Sequence, residues 1–423
     1  MTRSNRRSTT SAANRLTTVR KSPKASPVPA TSLTLDTEEP LVIASILRPE
    51  GITGVHTHVR EFSWYLDQKS RAYALVTPFT RGRALSMPVF GLRPLLQHVA
   101  SPAGVAWYRY WHTAFLANAL RRRLAGLGPA VIYAQGPEAA RATILARQGH
   151  HQRVVMAVHF LRSQADGWVN KRLITADGHV ARAIERSERE IVAHLDGIVY
   201  VSRATRDEFI EAVPQAAEIR SEVVHNFVRP VQAITNTQYL ADLVTVGSLS
   251  WEKNQEFLLR VLALAKQAGR PYTLDIYGTG PLRQHLKRTA DDLGLAGQVR
   301  FRGFDPYVRT ALPAYRAYVH ACPVETGPIA LIEALAAGLP VVAAPQGGTV
   351  ELFSDGAEGR YWPLHDPNVA SHILIDLLED ETARQAAACA ASARFRTFFD
   401  ARLVGPRLEA FLTEKHVKGP RYP

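Results

Sequence analysis

From Leu41 onward the chain alternates two textures. Short, almost uninterrupted apolar runs are separated by longer segments in which apolar side chains return every third or fourth position. The short runs predict strands at 41–46, 131–134, 154–158, 197–201, 223–224, 243–246, 274–277, 299–301, 317–320 and 341–344. The periodic segments predict helices, most clearly over 254–268 and 282–293. Strand followed by helix, repeated, calls for parallel sheets with helices on both faces. A chain of 423 residues exceeds one ordinary core. The expected fold class is therefore α/β, with two doubly wound, Rossmann-like domains facing across a cleft. In such sheets ligands bind at the carboxyl ends of the strands.

The polar, aperiodic stretch 229–239 breaks the alternation and reads as a linker. It divides the chain into domains at 39–230 and 231–395. Residues 1–38 are rich in Ser, Thr, Arg and Pro and poor in large apolar side chains, the composition of a disordered basic tail. They lack the apolar region of a secretory signal, while their Arg- and Ser-rich, acid-poor character also suits a transit peptide. A last helical segment around 403–416 falls in a terminal piece, 396–423.

Charge adds a direction to this layout. The net charge is +13, yet residues 41–230 carry 24 Lys and Arg against 15 Asp and Glu, whereas residues 231–423 carry 20 of each. A surplus confined to the first half suits a phosphate-bearing partner: an anionic membrane surface, an anionic acceptor, or nucleic acid, for which no motif appears. Leu116, Leu120, Leu124 and Leu127 share one helical face, with Arg121, Arg122 and Arg123 on the other. That pattern fits a core-facing helix with solvated arginines or a helix lying on an anionic membrane. No run approaches the about 18 apolar residues of a membrane span. Two cysteines, Cys322 and Cys389, suit a reducing cytosol and make no multi-cysteine zinc site.

The most informative stretch is 322–348. Pro328 fits the first helical position, Gly338 the position just past the last turn and Pro340 the stop, which predicts a helix over 328–337. Glu325-Thr326-Gly327 is then the loop that enters it, and the helix start offers free N–H groups and a positive dipole end to a phosphate. Glu333 sits between Ile332 and Ala334 on an otherwise apolar helix. A carboxylate there accepts hydrogen bonds from ligand hydroxyls, pairs with an arginine or projects to solvent.

Glu325-x7-Glu333, then Ala-Ala-Gly-Leu-Pro-Val-Val-Ala at 336–343 and Gly347-Gly348 with Glu351 behind, resembles the retaining glycosyltransferases of family 4, of GT-B fold. The resemblance runs from about residue 41 to 396. It implies that Glu325 lies by the donor sugar and that Glu333 binds the ribose hydroxyls. The amides of Thr326, Gly327, Pro328, Ile329 and Ala330 map onto the segment that holds the diphosphate, although Pro328 itself has no N–H. Val-Gly-Ser-Leu-Ser-Trp-Glu-Lys-Asn at 246–254 is similar to a family stretch whose Arg and Lys neutralise the diphosphate; Lys253 matches, and Ser248 stands in place of the Arg. Gly278 and Gly280 lie in a loop that lines the family's nucleotide pocket, which also reads as a tight turn. The last helix is expected to pack back on the first domain.

In the first half, Arg-Pro-Glu-Gly-Ile-Thr-Gly-Val-His-Thr-His at 48–58 resembles the family's Gly-Gly-Val-x-x-His loop, with Thr53 in place of the first Gly, then Gly54 and His58. The absence of a G-x-G-x-x-G spacing weighs against a dinucleotide oxidoreductase. His159 ends a predicted strand, where the family carries a His contacting the donor sugar near the anomeric carbon. Ser202 is similar to a family Ser and equally fits a helix N-cap. The resemblance implies a retaining hexosyltransferase with His159 and Glu325 catalytic, a nucleotide-diphosphate sugar as donor substrate, and no metal or other cofactor. The acceptor is a hydroxyl of a glycan, a lipid-linked glycan or a small molecule, in a cytoplasmic protein that meets the inner face of the membrane peripherally. A non-catalytic GT-B protein that binds a nucleotide or an anionic surface is the other reading.

Overall fold

The computed structural model describes residues 39–80, 89, 91, 100–231 and 239–414. The tail 1–38 and most of the linker expected at 229–239 lie outside them. Twelve strands form two sheets. β1 (Leu41–Ala44), β2 (Tyr73–Val76), β3 (Ala130–Gln135), β4 (Gln152–Val158), β5 (Gly197–Tyr200) and β6 (Ser221–Val223) make the first, in the order β2-β1-β3-β4-β5-β6. β7 (Ala241–Val246), β8 (Leu274–Tyr277), β9 (Val299–Gly303), β10 (Tyr315–His320), β11 (Val341–Ala343) and β12 (Gly359–Tyr361) make the second, in the order β12-β11-β10-β7-β8-β9. Every pairing is parallel.

Burial explains which strands the apolar pattern reveals. β1 and β3 are buried along their whole length, as parallel strands covered on both faces must be. β2 and β12 were not expected. Both are edge strands: β2 is the apolar run Tyr-Ala-Leu-Val, only four residues long and half-exposed over its first three, whereas β12 is the three residues Gly-Arg-Tyr and forms no apolar run. β6, also an edge, begins at Ser221 rather than at the expected 223 for the same reason.

Strand order reverses between β1 and β3 in the first sheet and between β7 and β10 in the second. These switch points are where loops diverge and leave a crevice for a ligand. Helix Ser101–Leu124 faces the first core: Leu116, Leu120 and Leu124 are fully buried while Arg121, Arg122 and Arg123 are exposed. The core-facing alternative therefore holds, and these leucines are not available to a membrane. Among the described residues no helix is long and apolar enough to cross one.

The chain passes from the first half to the second after Val228 and returns at Asp400. The two passages lie side by side, with Val228 N donating to Phe399 O at 3.1 Å and Ala401 N donating to Val228 O at 3.0 Å. Helix Ala401–Thr413 then packs Leu408, Phe411 and Leu412 against Leu41, Ile43, Phe62 and Tyr65 of the first half.

Candidate active site

The switch point of the second sheet is lined by residues 247–254, after β7, and 321–328, after β10. Glu325 is only 7% exposed. Its Oε1 accepts a hydrogen bond from Lys253 Nζ at 2.5 Å and one from His320 Nε2 at 2.9 Å. Burial alone would raise the Glu325 pKa, but the ammonium of Lys253 and the His320 bond hold it well below the usual carboxylate range. Burial would likewise lower Lys253, and the Glu325 carboxylate reverses that and holds the ammonium charged. Both bonds end on Oε1, so one oxygen is pinned, and the Cys322 thiol is a further hydrogen-bond partner of the carboxylate.

Cys322, His320 and Glu325 bring potential metal ligands within 4.8 Å of one another. Lys253 already places a cation beside them, 3.8 Å from Cys322 Sγ, and burial followed by the Glu325 charge pushes the thiol up to about 12.

Glycines hold this loop in place through close backbone packing. A Cβ on Gly347 would lie 2.1 Å from Glu325 O, and one on Gly348 would lie 2.3 Å from Thr326 O. Gly348 N also donates to Glu325 O at 2.9 Å. The Gly-Gly pair is thus the floor beneath Glu325 and Thr326. Gly278 and Gly280 play a similar part: a Cβ there would meet Gly247 O at 1.8 Å and Leu249 O at 2.3 Å. Their smallness serves the contact between two loops, and Gly278 also holds the positive φ of the tight-turn reading, at +134°.

The helix that follows spans Ile329–Ala336. Pro328 is its N-cap, with ψ of 113°, and not its first helical residue. That ψ is extended, so the turn begins one residue later, and Gly327 before it holds φ +151°, a conformation that favours glycine. Gly338, at φ +70°, ends the helix as expected. Ile329 and Ala330 carry first-turn N–H groups that have no helical acceptor. Ser248, where the resemblance has an Arg, is engaged at its hydroxyl, among the described residues, only by Ser250 Oγ at 3.1 Å.

The first half meets this helix start directly. Asn226 Nδ2 donates to Gly327 O at 2.8 Å, and a Cβ on Gly54 would lie 3.8 Å from Ile329 Cδ1. Gly54 opens helix Gly54–Gln68, and Thr53 is its N-cap, a role that Thr fills well and that accounts for Thr at this position. His159 follows β4, and its Nε2 lies 3.0 Å from Gln135 Oε1. Gln135 Oε1 accepts, so the proton sits on Nε2 and Nδ1 is left as an acceptor. Burial and then the neighbouring His58 lower the His159 pKa well below its usual value, so the ring is neutral at pH 7. His58 is itself lowered to about 4 by burial, and bridges Asn226 Oδ1 at 3.0 Å and Tyr133 OH at 2.9 Å.

Glu333 takes the arginine alternative. Arg309, from helix Val308–Ala311, donates to Glu333 Oε1 from Nη2 at 2.9 Å and from Nε at 3.1 Å. The same Nη2 donates to Oε1 of Glu61, a fully buried carboxylate in the first half, at 2.9 Å. Glu351 also reaches across: it accepts from the N–H groups of Arg203 and Ala204, both at 2.9 Å, and lies 3.0 Å from His225 Nε2. Arg203 starts helix Arg203–Ala212, whose N-cap is Ser202. Sequence reasoning did not single out His320, Arg309 or Glu61. The signal available was a histidine ending the strand before Glu325.

Two family models match the chain, "Glycosyltransferase Family 4" over residues 52–232 and "Glycosyl transferases group 1" over 232–394. The GDP-mannose-dependent alpha-(1-6)-phosphatidylinositol monomannoside mannosyltransferase of Mycolicibacterium smegmatis is 31% identical over 271 residues, 59% of this chain and 66% of that one. The chain thus spans just under two thirds of that relative. Glycogen synthase of Mycobacterium tuberculosis is 26% identical over 332 residues, 75% of this chain and 78% of that one. Among solved structures, HepE of Anabaena in complex with UDP and glucose superposes with a TM-score of 0.66 at 18% identity, covering 89% of this chain and 99% of that one. Sucrose-phosphate synthase of Thermosynechococcus elongatus gives 0.66 at 14% identity, covering 88% and 97%.

Proposed function

The chain belongs to the family 4 and group 1 glycosyltransferases of GT-B fold, and from that premise we propose that it moves a sugar from a nucleoside diphosphate to a hydroxyl acceptor with retention of configuration. The observation that carries the reading is Glu325, held between Lys253 and His320 at the switch point of the second sheet. Breaking the anomeric bond builds negative charge on the diphosphate and positive charge on the sugar, and fixed groups of opposite sign stabilise both. Lys253 and the amides of Gly327, Ile329 and Ala330 serve the diphosphate, and Ser248 adds a neutral donor. Glu325 faces the sugar, Glu333 takes the ribose, and neutral His159 offers Nδ1 to a sugar hydroxyl. Lys253 fills the charge-neutralising part, so turnover needs no divalent metal.

The acceptor is a hydroxyl of a glycan, a lipid-linked glycan or a small molecule, in the assembly of cell-surface polysaccharide or glycolipid. The M. smegmatis relative, whose name gives a phosphatidylinositol mannoside as its substrate, supports a lipid-linked acceptor met at the cytoplasmic membrane face by the basic first half.

The test is a panel of GDP-, UDP- and ADP-sugars followed by calorimetry and by release of nucleoside diphosphate. At least one donor should bind and turn over, and Glu325→Ala should abolish turnover. Binding of no donor, or transfer undiminished in Glu325→Ala, overturns the proposal. Binding without turnover supports the non-catalytic reading, which the neutral Ser248 favours.

A further inference from the structure

We infer that Arg309 and Glu61 are positioning residues, which orient the ribose-binding carboxylate of Glu333 and make that orientation depend on contact between the two halves. The inference rests on the assignment of Glu333 to the ribose.

Glu61 lies on helix Gly54–Gln68 of the first half and is fully buried. A buried carboxylate persists where cations and N–H donors surround it. Oε2 of Glu61 accepts from Arg229 N at 2.8 Å and from Arg229 Nε at 3.2 Å, beside the passage between the halves. Oε1 accepts from Arg309 Nη2. Arg309 therefore has one end fixed to a rigid, fully compensated anchor.

Its other contacts both end on Oε1 of Glu333. Among the described residues no donor reaches Oε2, and the Glu333 side chain stays 13% exposed. A carboxylate free to spin would present either oxygen. Two bonds from a planar guanidinium hold one oxygen in place, narrow the swing of the group and leave the other oxygen for an incoming donor. A vicinal diol needs that orientation, because its two hydroxyls must find acceptor lone pairs together.

The helix of Glu333 and the helix of Arg309 belong to the second half, and Glu61 belongs to the first. When the halves part, Arg309 loses its anchor while Glu333 keeps a mobile partner. Ribose recognition then weakens, whereas the phosphate contacts of Lys253 and the Ile329–Ala336 helix start do not change. Helix Gly54–Gln68 carries Gly54 at its first position, so the anchor of the ribose carboxylate and the wall beside Ile329 move as one piece. Closing the cleft over the phosphate and ordering the ribose acceptor are the same motion.

The experiment titrates the full chain with GDP and UDP and with their 2′,3′-dideoxy forms by calorimetry. Wild type should prefer the ribose form of the bound nucleotide by about 10-fold or more, the size of one or two lost hydrogen bonds. Arg309→Lys keeps the charge but has no planar fork, and should cut that preference to about 3-fold or less with dideoxy affinity unchanged. Glu61→Gln keeps the shape of the anchor and should give the same partial loss, which covers the case in which Arg309→Lys folds poorly. With a turnover-competent donor both variants should raise KM and leave kcat nearly unaltered. Ribose preference at the wild-type level in both folded variants overturns the relay and leaves the role of Glu333 standing. No ribose preference in wild type overturns the role of Glu333 and the relay with it.

Discussion

Lys253 Nζ and Glu325 Oε1 stand 2.5 Å apart in a site where the carboxylate side chain is 8% exposed. Such a pair adds little net stability while it is intact, but removing one member leaves an uncompensated buried charge. Lys253→Met should therefore cost about 3–5 kcal/mol in denaturant unfolding at pH 7. Its pH dependence is the sharper sign. In the native chain the folded pKa of Glu325 is depressed, so its contribution is present above the unfolded value and is lost as pH falls through the depressed one. Without the ammonium only the His320 bond still opposes burial, so the Glu325 pKa rises and the stability gap between variant and wild type should narrow on acidification.

Glu351 should be felt at a distance from the chemistry. It caps, from the second half, a helix of the first. Loss of a cap costs about 1 kcal/mol, and Glu351→Ala also removes a tie between the halves. Burial would raise the Glu351 pKa, but the His225 and backbone bonds lower it. The stabilisation it gives is present above the unfolded pKa and is lost as pH falls through the folded one. Thermal unfolding of wild type and variant should differ at pH 7 and converge toward pH 3, and small-angle scattering should show a larger radius of gyration for the variant.

Gly348→Ala tests how finely the loop floor is set. The added methyl would stand 2.3 Å from Thr326 O, and that backbone carries Glu325 on one side and Gly327 on the other. Displacement of about 1 Å at a reacting centre costs about 100-fold in rate. Steady-state kinetics should show a fall of that order in kcat/KM, with the melting temperature lowered as well because the clash is with backbone.

Glu188 offers a test in the first half. Burial raises its pKa to about 7, although Ser163 Oγ donates to it at 2.7 Å and Gln164 N at 2.9 Å. A carboxyl raised in this way stabilises most below its unfolded pKa and loses that contribution as pH rises through about 7. Glu188→Gln keeps the acceptor without the titration. It should be more stable than wild type at pH 8, by roughly 1–3 kcal/mol, and close to it at pH 5. Unfolding curves across that range check the crossing.

Much of this site was legible because its chemistry is local in sequence. Glu325, the helix after it, Gly338 and the Gly347-Gly348 pair fall within a few turns of chain, and turn and cap preferences place them. The central strands were legible because burial on both faces leaves nothing but apolar residues. What escaped depends on the fold closing. Arg309 meets Glu61 across 248 positions, and Glu351 meets Arg203 across 148. No periodicity records such a pairing, so Glu333 could be read as open to a ligand or paired with arginine, and the structure pairs its Oε1 with Arg309. Pro328 slipped by one position because its own ψ is extended and the helix begins after it. β12 was hidden because its three residues, Gly-Arg-Tyr, carry no apolar run, and β2, though apolar, is only four residues long.

The side-by-side passages at Val228 and Asp400 constrain how the molecule can work. Two short backbone segments joined by hydrogen bonds resist sliding past one another but bend together. The halves are strapped at one edge, like covers on a book spine, and a strap of this kind leaves one angle free. Opening and closing then form a single coordinate. A fluorophore pair placed across the cleft mouth would report donor arrival, acceptor arrival and product departure on one scale.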